Sequence, residues 1–478
     1  MNAEIESFIN RYVKEIKENN AVVFLGAGFS KKSGFVDWKE LLKEIAKDLD
    51  LDIEKENDLV SLAQFHCNKN RNRAVINNII FEEFSREREP NENHMILARL
   101  PIFTYWTTNY DSLIEDSLRE VKKKVDVKFS IKQLSNTLPY RDAIVYKMHG
   151  DRSNPDDTVI IKDDYESYYR KYAPFITALN GDLISKTFLF MGFSFTDPNL
   201  DYILSRVRVE YEENPRQHYA ILKRVIEADY ENKADYEYEV RKQELFIDDL
   251  KRYNIIALLV DQYSEITDIL LTIERRINHD NIFISGSAEC YGHWEKEKAI
   301  QFINDLSKRL IRENYNIISG FGLGVGSYVI TGALEEIYLN NKVINEDRLL
   351  LRPFPQGIED EEKREALWKK YRQDMVSRAG ISIFLFGNKK DRFPDKIVNA
   401  NGVKSEFVIA RDQGNIIIPV GITGFMAGEI WNLVNTSFSD YYPKANEKLR
   451  NLFIKLNEEL EKDRLIDYIV DLIKLTKE

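Results

Sequence analysis

The sequence predicts an α/β protein built of two doubly wound domains. Three observations carry that reading. The 478 residues exceed what one ordinary core organises, so two domains are expected. Short runs rich in Val, Ile, Phe and Tyr recur along the whole chain, several nearly continuous, as parallel strands buried on both faces require. Segments of helical periodicity separate them, and that alternation builds sheets covered by helices on both faces.

Taken in order, the chain opens on an amphipathic helix over about Ile5 to Lys17. Strand-like runs follow at Ala21–Leu25, Ile102–Thr107, Ala143–Met148, Thr187–Phe193, His218–Leu222 and Ile255–Val260. SEITDILLTIERRI then reads as a helix that closes a first domain, residues 1–276. NIFISGS opens a second, residues 281–478, with runs at Ile282–Ser285, Asn316–Ser319, Leu349–Arg352, Ile381–Phe386 and Ile416–Val420. From about Lys444 the tail alternates apolar and charged residues at helical spacing, which predicts a helix packed on the second domain.

Composition excludes several classes. Hydrophobic residues at 43% and charged residues at 31% are the balance of a soluble globular protein. No run approaches the ~20 apolar residues of a membrane span, and the charged N-terminal stretch is no secretory signal, so a cytoplasmic location is expected. A net charge of −11 argues against nucleic acid and anionic membranes as partners. Cys67 and Cys290 stand far apart, so no disulfide framework and no four-cysteine zinc site can be built. The six His have no metal-ligand spacing, and no metal is expected.

Four polar turns at predicted strand ends carry the chemistry of the first half. AVVFLGAGFS ends a strand in Gly26-Ala27-Gly28 and Ser30; TTNYD holds Asn109 and Asp111; KMHGD holds His149; GFSFTDPNL holds Gly192 and Ser194. Glycines let the backbone approach a ligand, and helix N–H groups that follow favour a phosphate. Ligands of open parallel sheets bind outside the carboxyl ends of the strands, so the four turns are expected to converge on one crevice. Each alone has a plainer account: Asn109 and Asp111 as helix caps, His149 as a core residue, Ser194 to Asp197 as the start of a helix.

GAG-x-S, T-x-N-x-D, H-G and G-x-S in this order resemble the NAD-binding domain of the sirtuins, over roughly residues 1–275. The chain departs from the protein-deacylating members: it lacks the four zinc cysteines, and KKSGFVDW follows Ser30 in place of an Asp-Phe-Arg segment. The resemblance therefore implies NAD+ as substrate, with water rather than an acyl-lysine as acceptor. It implies Gly26, Ala27, Gly28, Ser30, Gly192 and Ser194 around the phosphates and ribose. Asn109 would bond the ribose hydroxyls or position water, and His149 would take a proton from a ribose hydroxyl. Asp111 would orient the carboxamide or its neighbours.

In the second half, ISGSA brings Ser285 and Gly286, and SGFGLGVGS brings Gly322, Gly324 and Gly326 into one loop. So many glycines suggest close backbone approach to a phosphate. Arg372, Lys389, Ser405 and Glu406 follow: cations suit a phosphorylated ligand, and Glu406 suits ribose hydroxyls. This half resembles the SLOG superfamily of Rossmann-like nucleotide sensors. NGVKSE stands where the related LOG hydrolases have PGGxGT, which favours sensing over catalysis.

The order of the two domains, with ENDLVSLAQ, KTFLFMGFSFTDPNLDYILSRVR and SGFGLGVGS, resembles the NAD-cleaving effectors of Thoeris antiphage defence along essentially the whole chain. That resemblance implies a bacterial NAD+ glycohydrolase releasing nicotinamide and ADP-ribose. It implies activation by a cyclic ADP-ribose isomer, made by a partner TIR-domain enzyme and bound in the SLOG domain. It also implies NAD depletion with abortive infection, and a homo-oligomer, at least a tetramer, joined through the sirtuin domains. Two other readings are a non-catalytic NAD or ADP-ribose sensor, and a phosphoribohydrolase acting in the second domain.

Overall fold

The computed structural model describes residues 2–193, 195, 197–210, 216–339, 348–355, 357–391 and 396–477. The chain divides into two compact units, Met1–Glu274 and Arg275–Glu478. Each is a parallel sheet with helices around it.

The first unit has seven strands: β1 Ala21–Leu25, β2 Thr104–Thr107, β3 Val125–Lys128, β4 Ala143–Lys147, β5 Thr187–Met191, β6 His218–Lys223 and β7 Ile255–Val260. Their order is β3-β4-β2-β1-β5-β6-β7, every neighbouring pair parallel. All five residues of β1 and of β5 are buried, as strands covered on both faces must be. The helix Ala3–Lys17 starts where the Asn2 side chain accepts from the Ile5 N–H, and buries Ile5, Phe8, Ile9, Tyr12, Val13 and Ile16 on one face. Tyr12, fully buried, donates its hydroxyl to the carbonyl of Val22 in β1. From β1 the chain crosses to β2 on one side and later returns from β4 to β5 on the other. The sheet thus reverses direction at β1/β5, where open α/β sheets bind ligands.

The second unit holds β8 Asn281–Ser287, β9 Asn316–Ser319, β10 Leu349–Leu351, β11 Ile381–Phe386, and, after a hairpin of β12 Asn388–Lys390 with β13 Ile397–Asn399, β14 Ile416–Pro419. The main sheet runs β10-β9-β8-β11-β14, all parallel. Its direction reverses between β8 and β11. The tail forms two helices where one was expected, Glu447–Lys455 and Lys462–Lys477. Leu449, Phe453, Leu465, Ile469, Val470 and Ile473 join the core around this sheet.

The structure departs from the sequence reading in several further places. Strand β3 is an edge strand reading Val-Asp-Val-Lys, in which Asp126 and Lys128 pair at 2.8 Å, and the hairpin β12–β13 was likewise not foreseen. The run expected to reach Phe193 stops at Met191, because Gly192 takes φ +66°. The helix after Gly26 is a single turn, Ala27–Ser30, continued by one 3-10 turn, so the glycine turn itself is not followed by a long helix.

Candidate functional site

The turns after β1 and β5 meet backbone to backbone. The Gly26 N–H donates to Met191 O at 3.0 Å and the Gly28 N–H to Gly192 O at 3.0 Å. A Cβ on Gly26 would overlap Gly192 O, and one on Gly192 would overlap the Phe29 N. These glycines therefore allow loop to lie on loop. The N–H groups of Gly26 and Gly28 are engaged there, whereas a phosphate cradle needs N–H groups that are open. Ala27 and Ser30 face the neighbouring cleft, together with Trp38, Thr108, Asn109 and Asp111. Ser194 lies outside the described residues.

Asn109 is held from several sides. Its N–H donates to Thr107 Oγ1 at 2.9 Å, and that hydroxyl donates to Leu25 O at 2.9 Å, tying β2 to β1. Its Nδ2 donates to Gly26 O and to Ser30 Oγ, both at 3.1 Å. Ser30, buried, donates in turn to Asp111 Oδ2 at 2.8 Å, while Asp111 Oδ1 accepts from the Leu113 N–H. Both amide donors are used, yet Asn109 Oδ1 is buried with no partner among the described residues. A buried acceptor left open costs free energy unless something fills it, which marks the place of a ligand donor or a water. Burial raises the Asp111 carboxyl above its ordinary value, against the pull of Lys147.

Beneath this loop Lys147 lies wholly buried at the end of β4. Its ammonium reaches Tyr110 O at 3.1 Å, Asp111 O at 2.5 Å, Asp151 Oδ2 at 2.5 Å and Glu115 Oε1 at 3.0 Å. Burial pulls its pKa down, but Glu115, Asp151 and Asp111 hold it above the ordinary lysine value. The residue fastens the Asn109 turn to the His149 turn.

His149 is 1% exposed, and its Nε2 lies 3.2 Å from Asp197 Oδ2, in the turn after β5. Strands β2 and β1 lie between β4 and β5, so a contact between the turns after β4 and β5 passes over the ends of both. The approach is off the axis of a hydrogen bond, and neither ring nitrogen has such a partner among the described residues. Burial lowers the imidazole pKa below its ordinary value, against Asp197 and Asp164. His149 is therefore neutral near pH 7 and able to accept a proton. It does not line the cleft formed by Asn109 and Trp38.

In the second unit, three of the expected residues come together. Ser285 Oγ donates to Glu406 Oε2 at 2.6 Å, and Arg372 Nε approaches Glu406 Oε1 at 3.4 Å. Burial raises Glu406 above its ordinary value, against Ser285 and Arg372. The Arg372 guanidinium stands 4.8 Å from the Phe354 ring centre and 5.8 Å from that of Trp368, two neighbours the sequence did not single out. Gly286 lies in β8 against Leu385 O of β11, and Gly322, Gly324 and Gly326 serve close contacts between backbone segments. A Cβ on Gly322 would overlap Gly286 O, and Gly324 takes φ +70° against Ala288 O. Lys389 lies exposed on β12, and Ser405, also exposed, donates back to Asn401 O at 3.0 Å within its own helix. Neither is joined to the Ser285–Glu406–Arg372 group by any of these bonds.

Among the described residues, no three His, Cys, Asp or Glu side chains are grouped to hold a metal ion, and no helix is long and apolar enough to cross a membrane.

A SIR2-like domain model matches residues 104–245, and a model of the Sir2- and TIR-associating SLOG family matches residues 265–476. NAD(+) hydrolase ThsA of Bacillus cereus (strain MSX-D12) is 55% identical over 477 residues, covering 99% of both chains. NAD(+) hydrolase ThsA of Acinetobacter baumannii (strain 532279) is 47% identical over 477 residues, again 99% of both. The Enterococcus faecium protein of the same name is 43% identical over 479 residues, 98% of both.

Proposed function

The chain belongs to the NAD(+) hydrolase ThsA family, and from that premise we propose that it cleaves NAD+ to nicotinamide and ADP-ribose in antiphage defence. The cleavage is assigned to the carboxyl end of the first sheet. The observation that carries this assignment is the open, buried acceptor Asn109 Oδ1, in the turn after β2 and bonded to the turn after β1, with the buried neutral His149 in the turn after the neighbouring strand β4.

In this reading the C–N bond to nicotinamide breaks with its electron pair going to the leaving ring. A water oxygen bonds to the ribose carbon left behind. The proton released passes to His149, either directly or through a ribose hydroxyl, and then to solvent. Asn109 Oδ1 accepts from that water or from the hydroxyls, while Ser30 and Gly26 fix its amide. Asp111 supports Ser30 and the turn. A positioned base contributes about 10²–10⁴-fold in rate.

The second unit is the sensor. Arg372, already beside aromatic rings and Glu406, receives a phosphate of a cyclic ADP-ribose isomer, and Ser285 with Glu406 bonds its ribose hydroxyls. Charge-assisted bonds of this kind contribute ~1.5–3 kcal/mol each, so two or three supply the roughly 5.5 kcal/mol that moves an enzyme from 1% to 99% active. The supply of that signal by a TIR-domain partner, a cytoplasmic location, abortive infection through NAD depletion and a homo-oligomer joined through the N-terminal units complete the proposal by family resemblance. The test is nicotinamide release from NAD+ by the purified full chain, with and without cyclic ADP-ribose isomers. Release that rises with one isomer supports the reading; no release under any of these conditions sinks it.

A further inference from the structure

Asp197 opens the helix Pro198–Glu210, and its two carboxylate oxygens have separate tasks. Oδ1 accepts from the N–H groups of Asn199 and Leu200, both at 3.0 Å, which caps the helix. Oδ2 accepts from the Tyr165 hydroxyl at 3.2 Å and lies 3.2 Å from His149 Nε2. The site is dry: the His149 side chain is 1% exposed and that of Asp197 9%. The rings of Tyr165 and Tyr168 stand edge-on to the imidazole, with centres 5.7 Å and 6.3 Å away.

A neutral imidazole carries one N–H and one lone pair. Turned toward an ionised carboxylate at this distance, the N–H is attracted and the lone pair repelled, and burial strengthens both effects. Tyr165 can only donate to Oδ2, so that oxygen is free to accept a second proton donor. Nδ1, on the other side of the ring, is buried and without a hydrogen-bond partner among the described residues. We propose that Asp197 is a positioning residue, which holds the proton of neutral His149 on Nε2 and so leaves Nδ1 as the atom that accepts the proton during NAD+ cleavage. This rests on His149 being the base.

The charged and titratable groups that face the ring are few. Asp197 and, farther off, Asp164 on the helix Lys162–Lys171 both favour the protonated ring. The Tyr168 hydroxyl is spent on Met148 O, and Lys147 on the strand before His149 is held by Glu115 and Asp151. Removing the Asp197 charge alone therefore leaves the ring harder to protonate and its tautomer unguided.

Two-bond and three-bond ¹⁵N–¹H spectra of the full chain, labelled in histidine, read the tautomer directly. His149 is assigned as the signal missing in His149→Gln. The wild type is expected to show protonated Nε2 and bare Nδ1 at neutral pH. Asp197→Asn keeps an oxygen for the helix cap. In that variant the proton is expected to redistribute toward Nδ1, the protonation midpoint to fall, and kcat to drop by up to about 10²-fold with KM unchanged. A wild-type His149 protonated on Nδ1 overturns the proposal without any variant, as does an Asp197→Asn protein with unaltered tautomer and midpoint. The spectra need no turnover. A wild type that never cleaves NAD+ would instead fault the proposed function.

Discussion

Near the carboxyl end of the first strand of each sheet, a buried serine hydroxyl donates to a buried carboxylate, and the neighbours of the two pairs differ. Ser30 donates to Asp111 beside the neutral amide of Asn109, whose Oδ1 is open. Ser285 donates to Glu406 beside the Arg372 guanidinium, held against Phe354. A neutral acceptor, with a neutral imidazole in the turn after the next strand, suits a reaction in which positive charge grows on a ribose and a proton must leave. A guanidinium near aromatic rings suits a phosphate that binds and dissociates intact. One local device, with its neighbour changed from amide to cation, fits chemistry in one unit and recognition in the other.

The comparison breaks most sharply at Asn109 and His149. Asn109→Ala and His149→Ala are each expected to lower NAD+ turnover about 10²–10⁴-fold while the chain stays folded. Circular dichroism and a nicotinamide assay on the same samples check this. Turnover that persists in a folded variant moves the chemistry away from the first sheet.

Next come the glycines on which both units rely for loop contact. Gly192→Ala adds a methyl against Phe29 N at φ +66°, and Gly322→Ala adds one against Gly286 O. Each is expected to cost about 2–4 kcal/mol in its own unit. Calorimetry should show the first variant lowering one transition and the second lowering the other. A harmless Gly192→Ala would mean that the two turns do not touch.

Acid should separate the units as well. Burial lowers His94 and His218 to about 3, and lowers His149 in the same direction. Their folded values lie below the unfolded value of about 6.5, so the unfolded chain binds more protons. Stability from this source is complete above about pH 6.5 and is lost as pH falls, by about 1.4 kcal/mol per pH unit for each residue. In the second unit the described histidines are the half-buried His279 and the exposed His293. Lowering pH from about 7 to 5 should therefore lower the first unit's melting temperature more than the second's, and equal shifts would contradict the burial argument.

The smallest effects sharpen the sensor side. Arg372→Ala is expected to weaken binding of the activating isomer by about 10–150-fold, one charge-assisted bond's worth. Lys389→Ala and Ser405→Ala, both at exposed positions, should change it by no more than a few-fold. Titration calorimetry ranks the three, and a large loss at Lys389 would relocate the site toward the β12–β13 hairpin.

These outcomes track what could be read in the chain before its fold was seen. Strands such as Ala21–Leu25 and Ile381–Phe386 are legible because burial on both faces writes a continuous apolar run. Val125–Lys128 is not, because an edge strand can pair Asp126 with Lys128 and so looks like surface. Glycine at 26, 192, 322 and 324 announces close approach but not its object, which is the neighbouring loop. Ser30, Asn109 and Asp111 are found by their motif and do meet. Asp197 reads only as the start of a helix, because its second oxygen serves a histidine from another strand end. Lys389 is legible as a cation and Ser405 as a neighbour of Glu406 in the chain, and neither property tells where a side chain points.

The division of labour between the two sheets is tested most directly by nicotinamide release, measured side by side for the full chain, Asn109→Ala and Arg372→Ala with the same cyclic ADP-ribose isomer, at the concentration that half-saturates the full chain. The account predicts stimulated release from the first, silence from the second, and an unstimulated basal rate from the third. Full stimulation of Arg372→Ala, or release from Asn109→Ala equal to that of the unaltered chain, would contradict it.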